Sequence, residues 1–396
     1  MARSFAIFLA VALSILGGMH YYFWVRLVRD PGLADPWRKL ATAAIVLLAI
    51  AFPVAMFTFR RSPAASSGIL PAIGFGWLGA AFLLLVALVF LDLGRLAVKV
   101  SELVAGWFRG GPSAPPDPAR RVFVAQAVAG AALTAATVTS AFAVRRAGGP
   151  AETPEVPVRM EKLPRALDGY TIAQISDLHV GPTIREKEVR RVVEQTNGLR
   201  PDLVAITGDL MDGGVRELGP ILESLKDLRA RHGVVFITGN HEYYSGVGEW
   251  LPWLRKLGVR VLENERMTIG DAGGSFELAG VNDVMHDMDL GKALAGRDPE
   301  KALVLLAHQP RGIEDAVRAG VDLQLSGHTH GGQIVPFNLL VGFAQPYVRG
   351  LHRHVEGERA GHIYVSRGTG YWGPPMRLGA PPEIAKIVLT SAPGIG

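Results

Sequence analysis

The sequence predicts an α/β domain that follows an all-α, membrane-spanning region. Residues 1–146 are dominated by long apolar runs, whereas residues 168–396 alternate short apolar runs with segments of helical spacing. Hydrophobic residues make up 49% of the chain and charged residues only 19%, below the roughly 25% of a typical soluble protein. We therefore expect three parts: a transmembrane region over 1–146, a linker with a first strand over 147–167, and the α/β domain over 168–396.

The composition excludes several classes of protein. A chain this rich in apolar residues is not disordered. It contains no cysteine, which excludes disulfide scaffolds, thiolate catalysis, zinc fingers and iron–sulfur clusters. The formal net charge is +5, but many basic residues flank apolar runs, as they do at membrane boundaries. We therefore expect membrane lipid as a partner and no nucleic acid.

Four apolar runs reach the roughly 20 residues that a membrane-spanning helix needs: 5–25, 40–59, 69–91 and 122–144. The first run ends in four aromatic residues and Arg26, a typical anchor at the lipid–water boundary. No small-residue cleavage site follows it, so a signal anchor is favoured over a cleaved signal peptide. The fourth run is also compatible with a buried helix, and residues 96–108 are interpreted as an amphipathic surface segment.

The distribution of basic residues bears on the orientation in the membrane. Nine Lys and Arg residues lie in the loops after the first and third runs, and seven lie on the opposite side. The positive-inside rule then places the C-terminal domain outside, but one miscounted span reverses this result. We expect a multi-pass protein of the cell inner (plasma) membrane and leave the side of its C-terminal domain open.

Five predicted strands of the C-terminal half each lead into Asp, Asn or His. The strands are predicted at 170–175, 203–206, 234–237, 302–306 and 321–325, and the polar residues that follow are Asp177, His179, Asp209, Asp212, Asn240, His241, His308, His328 and His330. Ligand sites of α/β sheets lie at the carboxyl ends of strands. We therefore expect these side chains to converge there.

The residue types indicate metal chemistry. Carboxylates and imidazoles without thiolates suit Mn, Fe or Zn, and Mg shares such ligands. The set is too large for one four-coordinate site and fits two divalent metal ions roughly 3.5–4 Å apart that share a bridging carboxylate. Such a pair activates water as hydroxide and clamps both oxygens of an in-line displacement. This chemistry predicts a metal-dependent phosphoric ester hydrolase.

The motifs resemble the signature of the calcineurin-like metallophosphoesterases. They are Asp177-x-His179, Gly208-Asp209-x-x-Asp212, Gly239-Asn240-His241-Glu242, His308 and Gly327-His328-x-His330, and the resemblance covers about residues 168–392. It implies a β-sandwich of two mixed sheets flanked by helices. It also implies two divalent metal ions, for which we favour manganese.

The resemblance implies a role for each residue of the set. One metal is held by Asp177, His179 and His330, and Asp209 bridges to the second. That second site is completed by Asn240, His308 and His328. His241 is the acid beside the leaving group, and Asp212 orients it. An imidazole paired with a carboxylate suits this role, because it titrates near neutrality in a fixed tautomer.

Further features bear on the substrate. Gly213 and Gly214 stand where related protein Ser/Thr phosphatases carry an arginine, which argues against a phosphoprotein substrate. The segments 280–283, 327–333 and 366–373 are similar to a bacterial subfamily that includes UDP-2,3-diacylglucosamine pyrophosphatases of lipid A synthesis. Candidates to bind a diphosphate are Arg349, Arg353, Arg367 and Arg377. Two interpretations stay open for the group of Tyr371, Trp372, Pro374 and Pro375, which forms either an apolar lip for an acyl chain or sugar or a rigid packed corner.

Three functional hypotheses remain open at this stage. The first is a membrane-bound hydrolase of a phosphodiester or pyrophosphate in a lipid-linked or nucleotide-sugar substrate. The second is a broad-specificity exported phosphodiesterase or phosphatase that acts on cell-envelope phosphates. The third is a non-catalytic metal-binding module of the membrane. The complete residue set, including His241, argues against the third hypothesis.

Overall fold

The computed structural model describes residues 2–61, 68–109, 117–271 and 273–392. The chain divides into two compact units, Met1–Phe142 and Ala143–Gly396. The first unit is helical, and the second contains all the strands of the described residues.

Four helices are long and apolar enough to cross a membrane. They are α1 (Ala2–Trp24), α2 (Trp37–Arg61), α3 (Ile69–Arg109) and α4 (Pro118–Ala147). Each of the four apolar runs of the sequence lies within one helix, apart from the last residue of the first run, which begins a π-helical turn (Val25–Arg29). The expectation of a separate surface segment over 96–108 is wrong, because these residues form the C-terminal part of α3, a single helix of 41 residues, and no proline lies among them to end it earlier.

The first unit exposes most of its apolar surface. Of the most apolar stretch in each helix, between 6% and 39% is buried within the chain, which suits helices surrounded by lipid. A small core forms where Phe23, Leu88 and Ala132 of three helices meet. Tyr22 donates to Asp92 at 2.6 Å, and Arg26 pairs with Asp92 and with Asp30, so these polar groups satisfy one another among apolar helices.

The second unit contains two six-stranded mixed sheets, as the sequence predicts. The strands are β1 (Glu155–Met160), β2 (Tyr170–Ile175), β3 (Leu203–Ile206), β4 (Val234–Phe236), β5 (Arg260–Val261), β6 (Glu265–Asp271), β7 (Gly274–Gly280), β8 (Leu303–Leu306), β9 (Leu323–Ser326), β10 (Gly350–Glu356), β11 (Arg359–Val365) and β12 (Ala385–Ser391). The order of the first sheet is β1-β12-β2-β3-β4-β5 and that of the second is β10-β11-β9-β8-β7-β6. In the first sheet only the internal pair β12–β2 is antiparallel, and in the second sheet the two edge pairs, β10–β11 and β6–β7, are antiparallel. The other neighbouring strands of both sheets are parallel.

Seven helices lie among the strands in the described part of the second unit, and five of them pack on the outer faces of the sheets. The seven are α5 (Glu186–Gly198), α6 (Val215–Leu222), α7 (Asn240–Tyr244), α8 (Val247–Lys256), α9 (Leu290–Ala293), α10 (Ile313–Arg318) and α11 (Phe337–Ala344). Val189, Leu218 and Trp250, from α5, α6 and α8, are buried in one cluster with strand residues of the first sheet. A separate cluster joins Ala293 and Ala316, from α9 and α10, to the second sheet. The unit is therefore a sandwich with helical outer layers.

The inner core consists of side chains from both sheets. Ile172 and Leu203 of the first sheet share one buried cluster with Phe276, Val304 and Leu325 of the second. This packing holds the two sheets face to face. The parallel strands β2, β3 and β4 of one sheet and β8 and β9 of the other carry the polar motifs at their carboxyl ends.

We expect Phe276→Ala to destabilise the second unit by about 3–5 kcal/mol, because it removes a fully buried ring from between the sheets. The control is Val355→Ala, whose side chain is 51% exposed on β10 and should change stability by no more than about 0.5 kcal/mol. Urea unfolding of the detergent-solubilised chain, followed by tryptophan fluorescence, measures both. Equal midpoints for the two variants would contradict the assigned core.

Candidate metal centre

The loops that follow five strands bring the predicted residues together. Asp177 and His179 follow β2, Asp209 and Asp212 follow β3, and His241 lies in the first turn of α7 after β4. The second sheet contributes His308 after β8 and both His328 and His330 after β9. Asn240, at the start of α7, completes the nine. Short contacts between side chains connect eight of these residues, and Asn240 lies directly before His241 in the same turn.

One group of donor atoms comes from Asp177, His179 and His330. The Nε2 atoms of the two histidines are 3.0 Å apart, and Asp177 Oδ1 is 3.6 Å from His330 Nε2. All three residues are buried. Three buried donors of this type, each offering one atom within 4.8 Å of the others, can hold one metal ion.

A second group comes from Asp209, His308 and His328. His328 Nδ1 is 3.3 Å from His308 Nε2, which in turn is 3.1 Å from Asp209 Oδ2. The same Asp209 oxygen is 3.7 Å from His179 Nε2 of the first group. The Asp209 carboxylate therefore lies between the two groups, where a bridging ligand belongs.

The hydrogen bonds of the histidines suit metal binding through the other ring nitrogen. His308 donates from Nδ1 to the carbonyl oxygen of Thr207 at 2.7 Å, which leaves Nε2 free to face Asp209. His179 Nδ1 is 3.0 Å from Asp212 Oδ1, which leaves its Nε2 facing His330. A carbonyl or carboxylate on the far nitrogen fixes the tautomer of a ligating histidine. Asp212 thus orients His179 as well as His241, a second contact that the sequence motifs did not reveal.

Asn240 supplies an independent indication of a missing partner. Its side chain is only 8% exposed, and its Oδ1 atom has no hydrogen-bond partner among the residues that the structure describes. A buried amide oxygen without a partner costs free energy unless another group binds it. An amide oxygen is a suitable ligand for a divalent cation, and the sequence motif assigns Asn240 to the second site. Together with the two donor groups, this unpartnered oxygen fits a centre of two metal ions.

Burial and local charges set the protonation of the ligands. Burial lowers the pKa of His328, and the charge of His308 lowers it further, to about 3. Burial and the charge of Arg377 also hold the pKa of His330 well below its usual range. Both imidazoles are therefore neutral near pH 7, the form that donates a lone pair to a metal.

Asp209 carries negative charge at the centre of the cluster. Burial by itself raises the pKa of Asp209, but the charge of His308 and its hydrogen bond outweigh this effect and hold the value low. Burial conversely lowers the pKa of His308, and the charge of Asp209 raises it above the usual range. A buried carboxylate that stays ionised is a strong attractor for a divalent cation.

His241 and Asp212 form a close pair beside the two groups. His241 Nδ1 is 2.6 Å from Asp212 Oδ1. Burial lowers the pKa of His241, but the hydrogen bond and the charge of Asp212 outweigh burial and raise it to about 9. The imidazole is therefore protonated near neutral pH, with Nε2–H available to a bound substrate.

Backbone strain is concentrated at the cluster. Nine described residues other than glycine have a positive φ angle in the left-handed region, and five of them are Asp177, His179, Asp209, His328 and His330. Such a conformation costs about 1–3 kcal/mol per residue and persists where the surrounding structure enforces it. The left-handed backbone turns nearby side chains of one loop, such as those of Asp177 and His179, towards the same point. An extended backbone would direct them differently.

Glu242 is a buried support for these loops. It is fully buried, and its carboxylate accepts hydrogen bonds from the backbone N–H groups of Asp209 and Leu210, at 3.0 and 2.7 Å, and of Gly239. It thereby links the loop after β3 to the start of α7. The sequence motif includes Glu242, but the three hydrogen bonds that give it a supporting role are evident only from the folded structure.

Close backbone approach explains the glycines of the motifs. A Cβ atom at Gly327 would overlap the side chains of Ser176 and Asp177, and one at Gly239 would overlap Asp209. Since both glycines face the candidate ligands, any larger residue would displace the carboxylates.

Two aromatic rings border the open side of His241. Tyr244 and Trp372 are 70% and 54% exposed, and their ring centres lie 5.4 and 5.8 Å from that of His241. Tyr371, by contrast, is buried and donates to the carbonyl oxygen of Thr183. Trp372 of the expected lip therefore borders His241 together with Tyr244, while Tyr371 belongs to the packed interior.

Two of the four candidate arginines are not free to bind phosphate. Arg377 is fully buried and donates to backbone carbonyl oxygens, including those of His330 and Arg367. Arg367 pairs with Glu383 and Glu152. The expectation that either of them binds a diphosphate is wrong, because both guanidinium groups hold the loops after β9 and β11 in place.

Comparisons with known proteins agree with this geometry. Residues 170–332 match the model of the calcineurin-like phosphoesterase family. A transmembrane protein with metallophosphoesterase domain from Bos taurus is 34% identical over 374 residues, which cover 90% of this chain and 81% of that protein. An uncharacterized metallophosphoesterase of Helicobacter pylori is 40% identical over 59% of this chain and 63% of its own length. One from Aquifex aeolicus is 36% identical over 59% of this chain and 89% of its own length.

The extent of these matches decides the family. The Bos taurus relative aligns along both the apolar helices and the α/β unit. The family implies divalent metal ions, and the two groups of donors agree with that requirement. The chain therefore belongs to the calcineurin-like phosphoesterases, as a membrane protein whose metallophosphoesterase domain makes it a metal-dependent phosphoester hydrolase.

Proposed function

We propose that the chain is a dinuclear-metal hydrolase that cleaves a phosphodiester or pyrophosphate bond at the surface of a membrane. The observation that carries the proposal is the position of the Asp209 carboxylate, which contacts histidines of both donor groups. On one side of it lie Asp177, His179 and His330, and on the other lie His308 and His328, which Asn240 would join as a further ligand. Two bound metal ions would supply an activated water and neutralise charge on the phosphate.

The protein side chains would perform the remaining steps. His241 Nε2–H would donate a proton to the leaving oxygen, and Asp212 would hold the imidazole in the tautomer that allows this. Tyr244 and Trp372 flank the imidazole and would restrict access of water from that side. Glu242 would hold the backbone of Asp209 beside the first turn of α7, because its carboxylate accepts hydrogen bonds from both segments.

Two features favour a substrate with a singly charged phosphate and an apolar portion. Arg367 and Arg377 are occupied by other partners and add no positive charge for a phosphate. The two metal ions would then neutralise the phosphate by themselves, which suits the single negative charge that each phosphate of a diester or diphosphate linkage carries. The exposed rings of Tyr244 and Trp372 offer an apolar surface beside the leaving group. A lipid-linked or nucleotide-sugar substrate, such as UDP-2,3-diacylglucosamine in lipid A synthesis, has both properties. A plasma-membrane location with several spans would bring the enzyme to it.

The test uses the purified full chain in detergent, with Mn, Mg or Zn added after chelation. Bis-p-nitrophenyl phosphate, p-nitrophenyl phosphate and UDP-2,3-diacylglucosamine are offered in parallel. We expect metal-restored turnover, faster on the diester than on the monoester. Release of UMP would identify the nucleotide-sugar substrate, whereas turnover of the diester alone would favour a broad phosphodiesterase. No turnover with any metal would contradict the proposal and favour a metal-binding module.

We expect Asp209→Asn to lower the metal content below two ions per chain and to reduce turnover by about 100-fold or more. The reason is that a neutral amide cannot bridge two cations, and even residues behind the ligands contribute about 10–100-fold. Elemental analysis and steady-state kinetics measure the two effects. The matched control is Asp287→Asn, because this exposed aspartate also has a left-handed backbone (φ 58°, against 52° for Asp209). Equal metal content in both variants would contradict the bridging role.

We expect His241→Ala to impair substrates according to their leaving group. Loss of the acid should cost about 10²–10⁴-fold on an alkyl phosphodiester, whose leaving oxygen needs a proton, and much less on a p-nitrophenyl ester. Metal content should remain unchanged. The control is His362→Ala, a half-buried histidine on β11. An equal loss on both classes of ester would show that His241 is not the acid.

A further inference from the structure

The helix α11 is an exposed apolar element on the catalytic unit. Its sequence is Phe-Asn-Leu-Leu-Val-Gly-Phe-Ala, and none of its eight residues is buried. Leu339, Leu340 and Phe343 are 65%, 59% and 90% exposed, and Val335 just before the helix is 44% exposed. A contiguous apolar patch of this kind on a protein surface marks a site of interaction.

The helix is directly connected to the candidate metal centre. It begins seven residues after His330, and the short 3₁₀ turn His330–Gly332 packs against it. The approach is so close that a Cβ atom at Gly332 would overlap the backbone and side chain of Asn338. Gln333, which follows Gly332, donates from its side-chain amide to the carbonyl oxygen of Trp372 at 2.9 Å. The apolar helix, the ligand loop and the aromatic lip therefore form one connected structure.

Positive charge borders this helix. Arg311 donates to the carbonyl oxygen of Ala344, the last residue of α11, at 3.0 Å. Arg349 and Arg353 follow within ten residues, and both are exposed. The sequence contains no acidic residue between Asp322 and Glu356. The exposed apolar residues thus lie in a segment that carries only positive formal charge.

We propose that α11 is an interfacial helix that inserts its apolar side chains into the surface of a lipid bilayer. The combination of Leu and Phe side chains with adjacent arginines is typical of segments that lie at the boundary between headgroups and acyl chains. The arginines complement anionic headgroups, and such basic residues bind anionic leaflets. The chain is a membrane protein through its other helices, so the same molecule is already held at a bilayer.

The proposed insertion has a consequence for the site. With α11 in the bilayer surface, the lip formed by Tyr244 and Trp372 would lie near the headgroups, and an amphiphilic phosphate would reach His241 without leaving the membrane. This consequence rests on the proposed function. The insertion itself does not, because it concerns contact with lipid and not turnover.

The experiment uses the absence of native cysteine in the chain. The full-length protein with Phe343→Cys carries an environment-sensitive fluorophore at that single thiol and is reconstituted into vesicles of phosphatidylcholine and phosphatidylglycerol. Lipids with a nitroxide on the acyl chain act as quenchers. The matched control is Glu300→Cys, an exposed residue that precedes β8 and so lies at the opposite end of the strands from the metal centre.

We expect blue-shifted emission and several-fold stronger quenching for the label at position 343 than for the label at position 300. In the labelled Phe343→Cys chain, Leu339→Gln and Leu340→Gln together should reduce that quenching while the thermal unfolding midpoint of the protein stays the same. Quenching at position 343 no stronger than at position 300 would overturn the proposal. Disulfide cross-linking between copies of the unlabelled Phe343→Cys protein, together with no lipid quenching of the labelled one, would overturn the proposal in favour of a dimer interface.

Discussion

The burial of carboxylates among histidines is the constraint on which the catalytic unit depends. Asp177 and Asp209 are almost inaccessible to water, and histidines from both sheets surround them. Charges removed from water are costly unless opposite charges compensate them. Without metals, Asp209 relies on the imidazolium of His308, 3.1 Å away. Divalent cations between the two donor groups would meet the same requirement more fully, and the orphaned oxygen of Asn240 would gain a partner.

The surrounding structure is organised to maintain this costly arrangement. Five left-handed residues aim the ligands inward, and glycines such as Gly327 allow the backbone to pass within contact of the carboxylates. Buried Glu242 and Arg377 then hold the loops, one through three backbone N–H groups and the other through backbone carbonyl oxygens. The core between the two sheets supplies the stability that offsets the strain. The strained residues directly follow strands whose apolar side chains are buried in that core.

The same loops extend outward from the centre to the surface. The segment after β9 first supplies His328 and His330, then Gln333 beneath Trp372, and finally the exposed helix α11. The segment between β9 and the end of α11 therefore contributes two candidate metal ligands, a contact to the aromatic lip and an exposed apolar surface. An enzyme with this arrangement is suited to a substrate whose phosphate lies at the boundary of a membrane. That suitability follows from the proposed function and insertion together.

The sequence by itself predicts the four apolar helices, the alternating strands and the nine polar residues at strand ends, because hydrophobic runs and strand-terminal motifs are local patterns. It does not reveal that Asp212 contacts two histidines, that Arg377 is buried, or that residues 96–108 continue α3. Nor does it show that Leu339, Leu340 and Phe343 remain exposed, since an apolar segment usually predicts a core. The contacts of Asp212 and Arg377 depend on which strands are neighbours and on how the two sheets of the sandwich pack. Contacts between residues far apart in the chain exist only once both sheets have packed, so the tertiary structure decided them.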